Sequence, residues 1–193
     1  MARFKIRCTG TRPLLMHNAR LADPLDEVVK AMKRISAKRK KTDEDYEELA
    51  RLEHAGGLYI DPDIGPYLPG QNVERCLLDS ARISRAGKSI ERGVFITTDV
   101  NPIAYVGPRD RDGLWADRNF RHTALARVQA SRIARTRPVF PTWMVEAEGD
   151  LDTSILSIES LAEIAVTAGG MVGLGDWRPR FGRFTAEIER VDA

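Results

Sequence analysis

The order of strand-like and helix-like segments constrains the fold of this chain more than any other feature of its sequence. Apolar and polar residues alternate over 3–9, which is the period of a strand. Helical spacing appears over 71–85 and again over 157–169, with strand-like segments between and after these two helices. The resulting order of strand, helix, strands, strand, helix and strand predicts an α+β fold. We expect a ferredoxin-like antiparallel sheet with helices on one face and an open face left for a ligand.

Two insertions are predicted within this order. Residues 20–56 have the pattern of a helical hairpin, whose second helix is acidic and takes Thr42 as its N-cap. Asp23 precedes Pro24 and is interpreted as the N-cap of the first helix. Residues 107–137 are typical of a basic hairpin arm. With no repeat or break in composition, we expect one domain spanning 1–193.

Cysteine usage and hydropathy exclude several classes of protein. Cys8 and Cys76 have no metal-site or disulfide-framework spacing, so we expect two buried thiols. No apolar run approaches the roughly 20 residues of a membrane span, and the N-terminus begins as a strand rather than a signal peptide. We therefore expect a cytoplasmic protein with no membrane partner, no metal and no cofactor.

Charge is segregated along the chain although the net charge is only +2. Residues 109–137 hold eight arginines and three aspartates, whereas 43–53 hold six acidic residues and one arginine. Such a basic segment is typical of a surface that meets an anion. An ordinary solvated hairpin remains an alternative for it.

A glycine-arginine loop, residues 169–184, carries five glycines, three arginines and Trp177. Glycine permits close approach of a backbone, its N–H groups can cradle phosphate, arginine matches phosphate oxygens, and an aromatic ring can stack on a base. The composition favours contact with a nucleic acid. A helix C-cap followed by a tight turn is the alternative.

This loop, together with two other segments, resembles the RAMP (repeat-associated) superfamily. Residues 11–17 are similar to the family's strand followed by a Pro-Leu turn, and residues 67–73 are similar to its Ile-Pro-Gly-Ser segment that opens a helix. The best-known members are the crRNA-binding backbone subunits of CRISPR effector complexes. The resemblance implies an RRM-like core with a protruding insertion, and head-to-tail assembly of copies along guide RNA with other effector subunits. It also implies phosphate contacts from the loop and the first helix.

From the residues and the resemblance together, we predict a compact, divergent relative that binds single-stranded nucleic acid and is not an enzyme. Guide RNA is the expected ligand, and a DNA target stays open, because discrimination depends on 2′-hydroxyl contacts. The predicted binding residues are Lys5, Arg7, Arg12, His17, Asn18, Arg82, Arg127, Arg132, Arg135, Arg137, Gly173, Gly175, Trp177, Arg178, Arg180 and Arg183.

Three other functions fit the same sequence. A RAMP-like endoribonuclease would use His17 as general acid or base, at a place where the superfamily's nucleases often carry a histidine. A metal-dependent nuclease would use Asp23 and Asp26, although capping explains Asp23 better. A structural protein of a virus or mobile element would assemble through its basic arm and a neighbour's acidic helix.

Overall fold

The computed structural model describes residues 1–128 and 131–191, and the side chains of 126–128 and 131–132 lie outside this description. The strands are β1 (Ala2–Gly10), β2 (Leu14–Leu15), β3 (Ile60–Asp61), β4 (Gly65–Pro69), β5 (Val94–Ile96), β6 (Val100–Ala104), β7 (Arg121–Val128), β8 (Ser131–Phe140), β9 (Met144–Leu151) and β10 (Phe184–Val191). The helices are α1 (Glu27–Ser36), α2 (Asp43–Gly57), α3 (Gly70–Ile83), α4 (Gly87–Gly93), α5 (Arg111–Ala116) and α6 (Ile158–Thr167).

In the main sheet β1 lies between β10 and β9 and is antiparallel to both. The far edge of β9 pairs with β5 and β6, and β4 and β3 extend the sheet beyond β6. Helix α3 lies between β1 and β5 in the chain, and α6 lies between β9 and β10. The predicted α+β, ferredoxin-like sheet is confirmed.

Alternation along β1 divides the sheet into two faces. Phe4, Ile6 and Cys8 are at most 1% exposed and belong to the apolar core that also takes in residues of α3 and α6. The intervening residues point to the opposite, open face. The predictions of a strand here and of two buried cysteines are confirmed.

The helical insertion forms as predicted, except at its first cap. Asp26, not Asp23, is the N-cap of α1, because its carboxylate accepts from the backbone N–H of Val28 at 2.9 Å. Asp23 instead ends a short 3-10 helix and accepts from the Leu25 N–H. Thr42 caps α2, as predicted, and also forms a full capping box with Asp45.

The arm is a hairpin of β7 and β8, whereas residues 111–116 of the predicted 107–137 segment form α5. After the arm the chain breaks at Phe140 and resumes as β9 at Met144. Trp143 lies in the break, buried, with its indole N–H donating to the Arg12 carbonyl at 2.8 Å. Residues before the break pair with β2 as part of a second sheet.

Candidate nucleic-acid interface

The glycine-arginine loop packs against residues 11–17 and against α3. The backbone N–H of Asp176 donates to the Leu15 carbonyl at 2.7 Å, and the N–H of Gly182 donates to the Pro13 carbonyl at 2.8 Å. On its other side the loop meets α3, where the Cys76 thiol lies 3.1 Å from the Gly173 carbonyl. Segments distant in sequence therefore form one surface.

The loop glycines are required by this packing. Gly175 has φ of 75°, and a Cβ there would collide with the Leu15 carbonyl oxygen. The N–H of Gly173 donates to Ala168, and the N–H of Leu174 donates to Gly182, both at 2.8 Å. These N–H groups are therefore not available as a phosphate cradle. A ligand would instead contact the arginine and aromatic side chains of the loop.

Asp79 of α3 gathers three arginines. Arg75 and Arg82 lie on the same helical face and approach its carboxylate at 3.0 and 3.1 Å, and Arg178 of the loop approaches at 3.6 Å. Arg75 and Arg82 keep more than half of their side-chain surface exposed. The group carries an excess of positive charge and presents guanidinium forks that match phosphate.

Two clefts flank the loop and meet at His17. The first, which we call the loop cleft, has a volume of about 140 Å³ and is lined by His17, Asn72, Arg75 and Arg178 among others. The second, the arm cleft, has a volume of about 550 Å³ and lies between α1 and the arm. His17 lines both, so the two clefts are adjacent, and we call them together the groove.

The arm cleft combines an apolar floor with basic edges. Met32 of α1 contributes to the floor, and Lys33, Arg135 and Arg137 supply positive charge. Arg135 is paired with Glu53 at 2.9 Å, whereas Lys33 forms no ion pair with any described residue. The phosphate of a nucleic acid that enters this cleft must compete with the Glu53 carboxylate for Arg135.

Arg137 is held by the loop. Its Nε lies 2.7 Å from Asp176 Oδ2, which joins the arm to the glycine-arginine loop. Partial burial lowers the pKa of His17, which lines both clefts, and the arm arginines lower it further, while Asp176 and Glu53 oppose the shift. The imidazole is therefore neutral near pH 7 and suited to hydrogen bonding.

Trp177 lies on the arm side of the loop, with 44% of its surface exposed and φ of 54°. Phe181 stacks on its ring at 5.6 Å, and the Arg180 guanidinium lies 5.7 Å from its centroid. His122 of β7 contacts both rings, and burial lowers the pKa of that histidine. Residues other than glycine rarely adopt this left-handed backbone conformation, and those that do cluster at functional sites.

Lys5 and Arg7 do not lie in this groove. They are on the open face of the sheet, where Arg7 pairs with Glu146 at 2.7 Å and Lys5 with the same carboxylate at 3.7 Å. Neighbouring strands place Glu187 and Glu189 opposite them as well. The open face is therefore a ladder of ion pairs and not a basic surface.

The remaining predicted residues are divided between the groove and its margins. Arg12 is exposed beside the loop, and Asn18 donates to the Leu58 carbonyl and caps the short 3-10 helix. Arg183 is exposed and donates to the Pro179 carbonyl at 3.0 Å. The side chains of Arg127 and Arg132 lie outside the described residues.

Sequence reasoning missed Arg75 and Lys33, which line the groove. The spacing of Arg75, Asp79 and Arg82 at i, i+4 and i+7 was the available signal for the first. Within the described ranges, no cluster of three metal-ligating side chains is placed to hold an ion, and no helix is long and apolar enough to cross a membrane. No family model matches the sequence, and the search of curated proteins found no match.

Proposed function

We propose that this protein binds single-stranded RNA along the groove formed by the loop cleft and the arm cleft, without cleaving it. The observation that carries the proposal is the convergence of the glycine-arginine loop, residues 11–17 and the start of α3 around His17. The arginines around Asp79 supply phosphate contacts, and Trp177 supplies a surface on which a base can stack.

Assembly belongs to the same proposal. Copies of the protein would lie head to tail along one guide RNA in a cytoplasmic CRISPR-type ribonucleoprotein, joined by other effector subunits. The exposed apolar side chain of Leu125 on the arm supports contact with another subunit. A neutral His17 beside Arg137 and Arg178 keeps the endoribonuclease as the second candidate.

Two charge-matched variants test the binding site. One, the groove variant, carries Arg75→Ala, Arg82→Ala and Arg180→Ala beside Asp79 and Trp177. The other carries Arg3→Ala, Lys5→Ala and Arg7→Ala on the open face. Affinity for a short labelled single-stranded RNA is measured by fluorescence anisotropy at several salt concentrations. Each lost phosphate contact lowers the salt slope by about 0.7 for a single strand, so the groove variant should lose about 2 units.

The open-face variant is the control for net charge. We expect it to keep the salt slope of the unmodified protein, because its three cations are paired with glutamates. Equal loss of affinity in both variants would mean that only net charge matters and would reject the groove. Shortening of the RNA during the measurement, abolished by His17→Ala, would favour the endoribonuclease.

A further inference from the structure

A second concavity, which we call the aromatic groove, lies beside the arm and shares Glu53 with the arm cleft. It has a volume of about 560 Å³, within the range of small-ligand sites. Its walls come from Tyr46 and Leu49 of α2, Trp115 of α5 and Ile133 of β8. Thr123 and Thr136 of the arm also line it, whereas Arg135 and Arg137 line the arm cleft.

The walls of the aromatic groove are apolar and accessible. Tyr46 is 59% exposed and Ile133 is 40% exposed, although both are large apolar side chains. The hydroxyls of Thr123 and Thr136 hydrogen-bond to each other at 2.9 Å. Glu53 is also satisfied, because it accepts from Arg135 and from the Thr136 N–H. Because these polar groups already have partners within the protein, the surface that this part of the groove offers a ligand is mainly apolar.

Two arginines at one end of the aromatic groove have no carboxylate partner among the described residues. The Arg121 guanidinium lies 4.4 Å from the Trp115 ring centroid, and its Nε is buried with no hydrogen-bond partner in the part of the chain described. Neither Arg118 nor Arg121 forms an ion pair with any described residue. Arg51, nearby on α2, is by contrast paired with both Glu48 and Asp112. A buried, unpartnered donor needs an acceptor, which a ligand can supply.

The two arginines and Glu47 lie at different ends of the aromatic groove. Trp115 packs edge-on against His54, so the Arg121 end lies near the C-terminal end of α2. Tyr46 and Glu47 lie on α2 eight residues or so earlier, which is about 12 Å along a helix. An anion is therefore favoured at the arginine end and disfavoured at the tyrosine end.

We propose that the aromatic groove binds a small organic anion with an apolar, ring-sized body. The body lies against Tyr46, Leu49 and Ile133, and the anionic group meets Arg118 and Arg121. The site does not depend on the RNA-binding proposal, because the arginines that carry it do not line the clefts around His17.

A pair of fluorescent probes that differ in charge tests this proposal. Anilinonaphthalene sulfonate carries an anionic group on an apolar ring system, whereas N-phenylnaphthylamine has the same ring system without the sulfonate. Titrated into the folded protein, the sulfonate probe should bind about tenfold more tightly than the neutral probe. Arg118→Ala plus Arg121→Ala should abolish this difference and leave the affinity for the neutral probe unchanged.

Two further variants locate the site. Ala50 lines the aromatic groove, so Ala50→Trp fills it and should abolish binding of both probes. Lys88→Ala plus Arg92→Ala on α4 removes the same charge outside this groove and should leave the affinity for both probes unchanged. Circular dichroism establishes that each variant is folded. Equal affinity for the two probes would overturn the proposal. So would sulfonate binding that survives both in the Arg118→Ala plus Arg121→Ala variant and in Ala50→Trp. Displacement of the probe by single-stranded RNA would also overturn it, since the groove would then be part of the RNA path.

Discussion

At the scale of single residues, glycines and carboxylates decide how the glycine-arginine loop presents its arginines. Asp79 holds Arg178 near Arg75 and Arg82, and Asp176 ties the loop to Arg137. These carboxylates reduce the net charge but fix the positions of guanidinium groups before a ligand arrives. Preorganisation of this kind lowers the entropy lost on binding.

Gly175→Ala tests whether the loop must follow this path. Its φ of 75° disfavours any side chain, and the new Cβ would meet the Leu15 carbonyl oxygen. We expect a loss of about 1–3 kcal/mol in the free energy of unfolding, measured by urea denaturation, and weaker RNA binding. Gly170→Ala is the matched control, because nothing lies within 4 Å of its added Cβ. Similar losses in both would show that glycine itself, not its position, matters.

At the scale of elements, the site depends on how the helical insertion docks on the arm. Glu53 of α2 is only 7% exposed, and its two carboxylate oxygens accept from Arg135 and from the Thr136 N–H at 2.9 and 2.8 Å. The acidic helix thus packs against the basic arm of its own chain. Part of the charge segregation in the sequence is explained by this contact.

Glu53→Gln removes the charge from this contact while keeping its shape. We expect the free energy of unfolding to fall by about 2 kcal/mol, because Arg135 is left partly buried beside a neutral group. Glu48→Gln, at an exposed pair with Arg51, should cost no more than about 0.5 kcal/mol. Urea midpoints of the two variants provide the comparison, and equal midpoints would contradict the docking role.

Sequence patterns were sufficient where the cause is local. The alternation in β1 and the Thr42 N-cap depend on residues a few positions apart, and both predictions are confirmed. The ion pairs that occupy Lys5 and Arg7 depend on strand register, which brings in glutamates about 140 and 180 positions away. Helices α4 and α5 were missed because their short sequences have no clear apolar period.

At the scale of the whole molecule, the three histidines couple stability to pH. Burial lowers the pKa of His17, His54 and His122 from 6.5, and His54 is completely buried against the Phe120 carbonyl. The unfolded chain therefore binds protons at a higher pH than the folded protein. Stability must rise with pH across the window between the folded-state values and 6.5.

Urea denaturation between about pH 5 and pH 7 measures this coupling. We expect the free energy of unfolding to decrease as the pH falls through 6.5, and His54→Gln to flatten that decrease. Carboxylates with lowered pKa, such as Glu146, lose their contribution only at lower pH. A stability that stays constant or increases on acidification would contradict this account of the buried histidines.

The measurement that tests the central claim most directly is photocrosslinking of the whole protein to single-stranded RNA that contains thiouridine, followed by mass spectrometry of the linked peptides. We predict adducts within residues 11–18, 72–82 and 173–183 and on the side of the arm that lines the arm cleft. Adducts confined to the open sheet face, within 3–9 or 144–150, or no adducts at RNA concentrations that saturate binding, would contradict it.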